Sequence, residues 1–147
     1  MDGRSILPYL DSKNIIERRH SIYMYRLRHG FYPDMHGKSH PARAIRTNDY
    51  LFIWNLNTDT SPRDVDGGPA ESFMVKNKEA FEKLYNLSFG KRQKYEFYKI
   101  NNDLYQINNL ANKKDFSLIR DSLNKELLSY LELNNDPRVI GEDDSFL

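Results

Sequence analysis

The sequence predicts an α+β domain in which a small antiparallel sheet of about four strands packs against a carboxyl-terminal helix. Short runs rich in aromatic and β-branched residues, separated by turn-forming residues, predict the strands. One long apolar stripe with helical spacing near the end of the chain predicts the helix. With 147 residues, 39% of them hydrophobic and 13% aromatic, the chain has the size of one domain with a modest core.

The first strand is predicted within residues 15–27. Ile22, Tyr23 and Tyr25 supply the β-branched and aromatic side chains that favour extended backbone. Residues 31–39 follow, and they are rich in Gly, Pro, Asp and Ser. Each of these residue types interrupts regular structure, so this stretch is predicted to be a loop.

A β-hairpin is predicted from residues 42–47 and 50–55. The residues between the two runs, Asn48 and Asp49, tolerate the positive φ angles of a tight turn. Apolar side chains alternate to both faces of the second run, with Tyr50, Phe52 and Trp54 on one face and Leu51 and Ile53 on the other. Because both faces are apolar, we expect a helix of this chain to cover one of them and a further domain to cover the other.

The middle of the chain is predicted to be helical over residues 71–89. Asn77 is expected to divide this helix into two pieces, and Gly90 is expected to end it. A short strand is predicted over residues 95–100, and residues 101–103 are predicted to turn the chain.

The terminal helix is predicted to begin with Asp115 as its N-cap and to end near residues 134–135, before Pro137. Its apolar positions fall on one face and are interpreted as core: Phe116, Ile119, Leu123, Leu127, Tyr130 and Leu131.

Composition excludes several classes of site. The formal net charge of +1 predicts neither a nucleic-acid partner nor a membrane-surface partner. Cysteine is absent, which excludes a disulfide framework and a thiolate metal site. The sequence contains no run of about 18 apolar residues, so it predicts no transmembrane helix. Its first residues lack the pattern of a signal peptide.

Several motifs resemble, in this order, the end of a sulfatase: Asp2-Gly3-Arg4-Ser5-Ile6-Leu7-Pro8, residues 41–53, Asp64-Val65-Asp66-Gly67-Gly68-Pro69, Glu96-Phe97-Tyr98 and residues 102–111. They are most similar to the carboxyl-terminal part of the bacterial heparan N-sulfatase-like branch of the arylsulfatase superfamily. On this resemblance, residues 1–14 are a linker from the end of the catalytic domain, residues 15–138 are the sulfatase carboxyl-terminal subdomain and residues 139–147 are a tail.

The resemblance implies a chain without its own catalytic centre, because the family's nucleophile and metal ligands lie upstream of these motifs. We therefore assign no catalytic residue, metal ligand or cofactor to this chain, and we expect it to be inactive alone. An intact relative would hydrolyse a sulfate ester or sulfamate on a glycan such as heparan sulfate, using formylglycine and calcium, and would be periplasmic or secreted. The implied partners are the missing catalytic domain and a sulfated glycan.

The predicted substrate-binding residues are Arg26, Arg28 and His29. They lie in a segment that resembles the family's Arg-Glu-Arg-His, which leads from a strand toward the substrate cleft. Arginine offers a sulfate or carboxylate a planar fork of charged donors, and histidine can donate to a sugar hydroxyl or a sulfate oxygen. The alternative interpretation is a solvated strand end with scattered cations.

Two other patterns are interpreted as structural. Ser39-His40-Pro41-Ala42-Arg43 fits the Ser-x-Pro-x-Arg pattern of the sulfatase nucleophile, but that nucleophile opens a helix and these residues are predicted to enter a strand. Four histidines crowd into 21 residues: His20, His29, His36 and His40. No cysteine or well-placed carboxylate completes a zinc site, so we expect exposed loop histidines.

Four basic residues have two interpretations each. Arg43 and Arg46 project to opposite faces of their strand and are expected to form structural ion pairs, although one of them could pair with acids of the missing domain. Lys91-Arg92 resembles the family's Gly-Lys-Arg and leaves the same choice open. For the whole chain, the alternative function is an autonomous binding module for an anionic saccharide or protein, without catalysis.

Overall fold

The structure is a computed structural model that describes residues 20–26, 40–61 and 68–141, together with Leu7 and Leu10. These residues form the predicted α+β fold, with the elements β1 (Ile22–Arg26), β2 (Ala42–Arg46), β3 (Tyr50–Asn55), α1 (Pro69–Lys76), α2 (Glu82–Phe89), β4 (Tyr95–Lys99), α3 (Ser117–Leu133) and α4 (Pro137–Ile140). Two 3₁₀ turns, Ile100–Asn102 and Lys114–Phe116, follow β4 and precede α3. None of the described helices has the length and apolarity needed to cross a membrane.

The described strands form an antiparallel sheet in the spatial order β1-β2-β3-β4. Its register places Tyr23 opposite Ile45, Ile45 opposite Phe52, and Phe52 opposite Phe97. Residues in one such row project to the same side of the sheet. These four side chains therefore face one layer of the structure, which is α3.

The main core lies between this face and α3. Leu123, Leu127 and Leu131 are spaced four residues apart and are buried in one cluster with the central residues of the sheet. Leu127 and Phe97 are completely inaccessible to solvent. The predicted apolar stripe is therefore confirmed as core for these three leucines, with Phe116 packed against them. It is wrong for Ile119 and Tyr130, which are 38% and 37% exposed.

The edge strand β1 is fastened to α3 by an aromatic pair and a shared carboxylate. The rings of Tyr23 and Tyr130 stack with centroids 3.6 Å apart. The Tyr23 hydroxyl donates to Glu126 Oε1 at 2.9 Å, and the Ser21 hydroxyl donates to the same oxygen at 2.7 Å. Partial burial, the hydrogen bond and the negative charge of Glu126 together raise the pKa of Tyr23 to about 12.

The β2–β3 turn lies at Asn48 and Asp49 as predicted, but the expectation of positive φ angles is wrong, because neither residue adopts one. Thr47 closes the turn instead. Its hydroxyl accepts hydrogen bonds from the N–H groups of Asp49, at 3.4 Å, and Tyr50, at 3.1 Å. A side-chain oxygen that satisfies two turn amides removes the need for a left-handed residue.

The helical middle of the chain is divided as predicted. α1 is followed by its C-cap residue Asn77, whose N–H donates to Phe73 O, and α2 is followed by its C-cap residue Gly90. A Cβ atom added to Gly90 would lie only 2.3 Å from Asn86 O, so the close approach of the backbone at this position requires glycine.

The predicted N-cap of the terminal helix is wrong. α3 begins at Ser117, and its N-cap residue is Phe116, which makes no side-chain cap hydrogen bond. Asp115 lies instead within the preceding 3₁₀ turn, where the N–H of Phe116 donates to Lys113 O at 3.1 Å. This tighter turn leads the chain into the helix and displaces the expected cap. The helix ends before Asn134, as predicted.

A buried ion pair joins the sheet to the end of α3. Arg43 in β2 is only 2% exposed, and its Nε and Nη2 donate to the two carboxylate oxygens of Asp136 at 2.7 and 3.1 Å. Asp136 is also the N-cap of α4, because its Oδ1 accepts from the N–H of Arg138. The interpretation of Arg43 as a structural ion-pair residue is therefore confirmed, whereas Arg46 is exposed.

We predict that Arg43→Ala lowers the free energy of unfolding of the chain by about 3–5 kcal/mol, because it leaves the Asp136 carboxylate largely buried without its cation. Arg43→Lys should lose less, because it keeps the charge but not the two-pronged geometry. Urea unfolding followed by tryptophan fluorescence measures both changes, with exposed Arg46→Ala as the control. A loss for Arg43→Ala no larger than for Arg46→Ala would contradict a stabilising role for the pair.

Candidate functional site

The sheet face opposite α3 borders a cavity of about 660 Å³. A row of cross-strand partners lines it: Met24, Ala44, Ile53 and Glu96. Because successive side chains of a strand alternate between faces, this row projects away from α3. The other walls come from the end of α2, the segment that precedes β4 and the segment that follows it.

The side chains on this face are less open than the sequence suggested. We expected a further domain to bury Leu51. The residue is instead buried within this chain, in a second small cluster with Ala44, Tyr98 and Ile100. Ile53 packs against the same cluster. The cavity therefore has a closed apolar floor, and its chemistry comes from the polar groups around that floor.

One wall is held by Arg26, at the end of β1. Its Nε and Nη2 donate to the carbonyl oxygen of His40 at 3.2 and 2.9 Å. His40 is only 5% exposed, and its Nε2 lies 3.3 Å from Thr60 Oγ1. The expectation of an exposed loop histidine is therefore wrong for His40, because its backbone is fixed by Arg26 and its ring is packed beside Thr60.

The imidazole of His40 keeps unused hydrogen-bonding capacity. Its Nδ1 is buried and has no hydrogen-bond partner within the part of the chain that the structure describes. Buried polar atoms without a partner are uncommon, and each one calls for an explanation.

The opposite wall carries Lys91 and Arg92, which follow Gly90. Lys91 is exposed and Arg92 is half-buried. Among residues 20–26, 40–61 and 68–141, neither cation forms an ion pair. These two side chains therefore do not make the structural ion pairs that were one interpretation of the sequence, and their charges are available at the cavity.

A hydrogen-bonded network around Glu96 lies between the two walls. The Tyr98 hydroxyl donates to Glu96 Oε2 at 2.6 Å, and the Asn55 side-chain amide donates to Glu96 Oε1 at 2.8 Å. Burial, the hydrogen bond and the charge of Glu96 raise the pKa of Tyr98 far above its usual range, and the guanidinium of Arg92 partly opposes this shift. Both oxygens of the carboxylate are thus held by partners within the sheet.

The charges around the cavity favour an anion. Arg26, Lys91 and Arg92 line it, and Glu96 is the acidic side chain among the described lining residues. Guanidinium and ammonium groups at the edge of a cavity suit sulfate, phosphate or carboxylate groups.

The predicted substrate-binding residues stay a prediction. The structure places Arg26 at the cavity, whereas Arg28 and His29 lie outside the described residues. Ser39 also lies outside them, but Ala42 and Arg43, at the end of its Ser-x-Pro-x-Arg pattern, enter a strand as predicted.

Sequence reasoning missed the network of Glu96, Tyr98 and Asn55. One signal could have found it. Glu96 stands within an aromatic strand and shares a face with Tyr98 two residues later, which indicates a buried carboxylate with a hydroxyl partner.

We predict that Tyr98→Phe lowers the free energy of unfolding by about 1–3 kcal/mol at neutral pH, because Glu96 stays buried with one hydrogen bond fewer. The raised pKa of Tyr98 means that its stabilising contribution is complete below pH 10.0, the ordinary pKa of tyrosine, and is lost as the pH rises through the raised value. In thermal melts between pH 7 and 11, the melting temperature should fall less steeply with rising pH for Tyr98→Phe than for the natural chain. Equal alkaline slopes would contradict this account, and Tyr105→Phe, at an exposed tyrosine, is the control.

Comparison with known proteins gives a consistent picture. No protein-family model matches the chain. It is 27% identical over 143 residues to the ulvan-active sulfatase of Formosa agariphila, a match that covers 92% of this chain. The chain spans only about a quarter of the length of that relative, 25%.

A solved structure has the same fold over most of the chain. It belongs to a protein determined in complex with its substrate, D-glucosamine-2-N,6-O-disulfate, and it matches with a TM-score of 0.54 and 18% sequence identity. The match covers 92% of this chain and 21% of the solved one. Together, the partial sequence match and the shared fold support the prediction that the chain is a homologue of the carboxyl-terminal portion of a sulfatase.

Proposed function

We propose that this chain forms one wall of the sulfated-glycan cleft of a sulfatase whose catalytic portion lies outside the sequence. The observation that carries the proposal is the cavity on the open face of the sheet, where Arg26, Lys91 and Arg92 surround a site with one satisfied carboxylate among the described lining residues. An anionic group entering it would meet the charged donors of Lys91 and Arg92, while the positive charge of Arg26, which donates to His40 O, lies at the other wall.

We assign a heparan sulfate-type glycan as the substrate class. The resemblance to the heparan N-sulfatase-like branch supports this choice, and so does the sulfated glucosamine that the structural neighbour binds as its substrate. The catalytic portion would supply formylglycine and calcium, and the complete protein would be periplasmic or secreted. The residues of this chain would bind and orient the sugar, and Arg28 and His29 remain candidate contacts beside Arg26.

The described core favours a second candidate function as well. α3 and the sheet bury a continuous apolar cluster without help from another domain. A chain that folds alone could act as a binding module for an anionic saccharide. The two functions differ in one measurable property, because only the sulfatase portion should restore sulfate release when it is combined with a matching catalytic portion.

We predict that the 147-residue chain binds a heparin-derived sulfated disaccharide in isothermal titration calorimetry, with an affinity that falls as salt is added. Arg92→Ala should weaken binding by about tenfold or more, because a charge-assisted hydrogen bond contributes roughly 1.5–3 kcal/mol. The control is Lys125→Ala, an exposed cation on α3 at the opposite side of the sheet. Equal losses for Arg92→Ala and Lys125→Ala, or no binding at low salt, would overturn the proposal.

A further inference from the structure

The loop after β4 places an unpacked aromatic side chain at the rim of the cavity. Tyr105 is 85% exposed, although it is one of the residues that line the cavity. It makes no described ring contact and therefore adds nothing to either core cluster. A large aromatic side chain that lies outside the core and borders a cavity is a candidate for ligand contact.

The backbone that carries Tyr105 is fixed rather than loose. Asp103 accepts hydrogen bonds from the N–H groups of Ile107, at 3.2 Å, and Asn108, at 2.7 Å. Its carbonyl oxygen accepts a third from the N–H of Gln106 at 3.1 Å. The aspartate thus ties both ends of the turn together and presents Tyr105 at its tip.

The same turn contains an unusual backbone conformation. Gln106 has a φ angle of 50°, in the left-handed region that residues other than glycine rarely adopt. Its side-chain amide donates to Leu104 O at 2.9 Å, which holds the turn in this shape. Strained positions of this kind cluster at binding sites, where the surrounding structure holds them.

We propose that Tyr105 is a stacking residue for a pyranose ring of the bound glycan. This inference rests on the proposed function and adds recognition of the sugar ring to recognition of the sulfate. One face of a pyranose ring exposes mainly C–H groups, and an aromatic ring presents a flat, electron-rich surface to them. Lys91 and Arg92 line the same cavity as Tyr105. A sugar stacked on Tyr105 would therefore have its anionic substituents in a cavity that also carries these two cations.

The position of Leu104 favours a sugar over a protein partner as the ligand of this loop. It is 73% exposed and adjacent to Tyr105, but it is not among the residues that line the cavity. A protein partner that covered the loop would use both side chains. A sugar bound in the cavity would use Tyr105 alone.

The test measures the affinity of the full 147-residue chain for two ligands, a heparin-derived sulfated disaccharide and tripolyphosphate, which is an anion without a sugar ring. Tyr105→Ala should weaken disaccharide binding by roughly three- to tenfold and leave tripolyphosphate binding unchanged. Tyr105→Trp should retain the disaccharide affinity, and Leu104→Ala should match the natural chain with both ligands. Because both positions are exposed, thermal melts should show that all three variants stay folded.

Each contrary outcome has its own meaning. If Tyr105→Ala binds the disaccharide as tightly as the natural chain while Arg92→Ala weakens it, the stacking role is wrong and the proposed function stands. Equal losses of Tyr105→Ala with both ligands would also overturn stacking, because tripolyphosphate has no ring to stack. If the natural chain does not bind the disaccharide at all, the proposed function and the stacking role both fail.

Discussion

The helix α3 covers one face of the sheet and leaves the other face to other segments. The main core therefore lies on the covered face, and the cavity lies on the opposite face. The covering helix supplies its leucine stripe to the core, and the Arg43–Asp136 pair fixes the end of that helix against β2. Removing one partner of a buried pair is costly, because it leaves the other charge buried without compensation. The opposite face is left to shorter segments, and the cavity lies there.

The polar groups on the open face differ in their partners. Glu96 is enclosed by Tyr98 and Asn55 and acts as a structural acceptor within the sheet. Lys91 is exposed and Arg92 is half-buried, and neither forms an ion pair among the described residues. An anionic ligand would supply the missing partner, which is why the site and the sulfatase resemblance lead to the same proposal.

Much of the fold could be predicted from the sequence because its strands and terminal helix have strong local patterns. The strand runs and the leucine stripe had the correct period, and Gly90 marked the end of a helix. Local pattern failed where side chains compete for backbone groups. The Thr47 hydroxyl stabilises the hairpin turn without positive φ angles. Asp115 lies in a 3₁₀ turn before the terminal helix and is not its N-cap.

The candidate site was harder to predict because it depends on contacts between distant segments. Arg26, His40 and Arg92 come from three separate parts of the chain, and no spacing rule brings them together. The burial of His40 depends on its fold context, since the same residue in an open loop would be exposed. The resemblance to sulfatases singled out Arg26, which lines the cavity, whereas the Glu96 network depends on the register of β3 and β4.

Hydrogen–deuterium exchange of the chain with and without a sulfated disaccharide tests the central claim most directly, because it locates the ligand without a substitution. The account predicts slower amide exchange in residues 90–94 and 103–108, which border the cavity, and unchanged exchange in α3 on the other face. Protection confined to α1 and α3, with none in the two cavity segments at saturating ligand, would contradict the assignment of the glycan site.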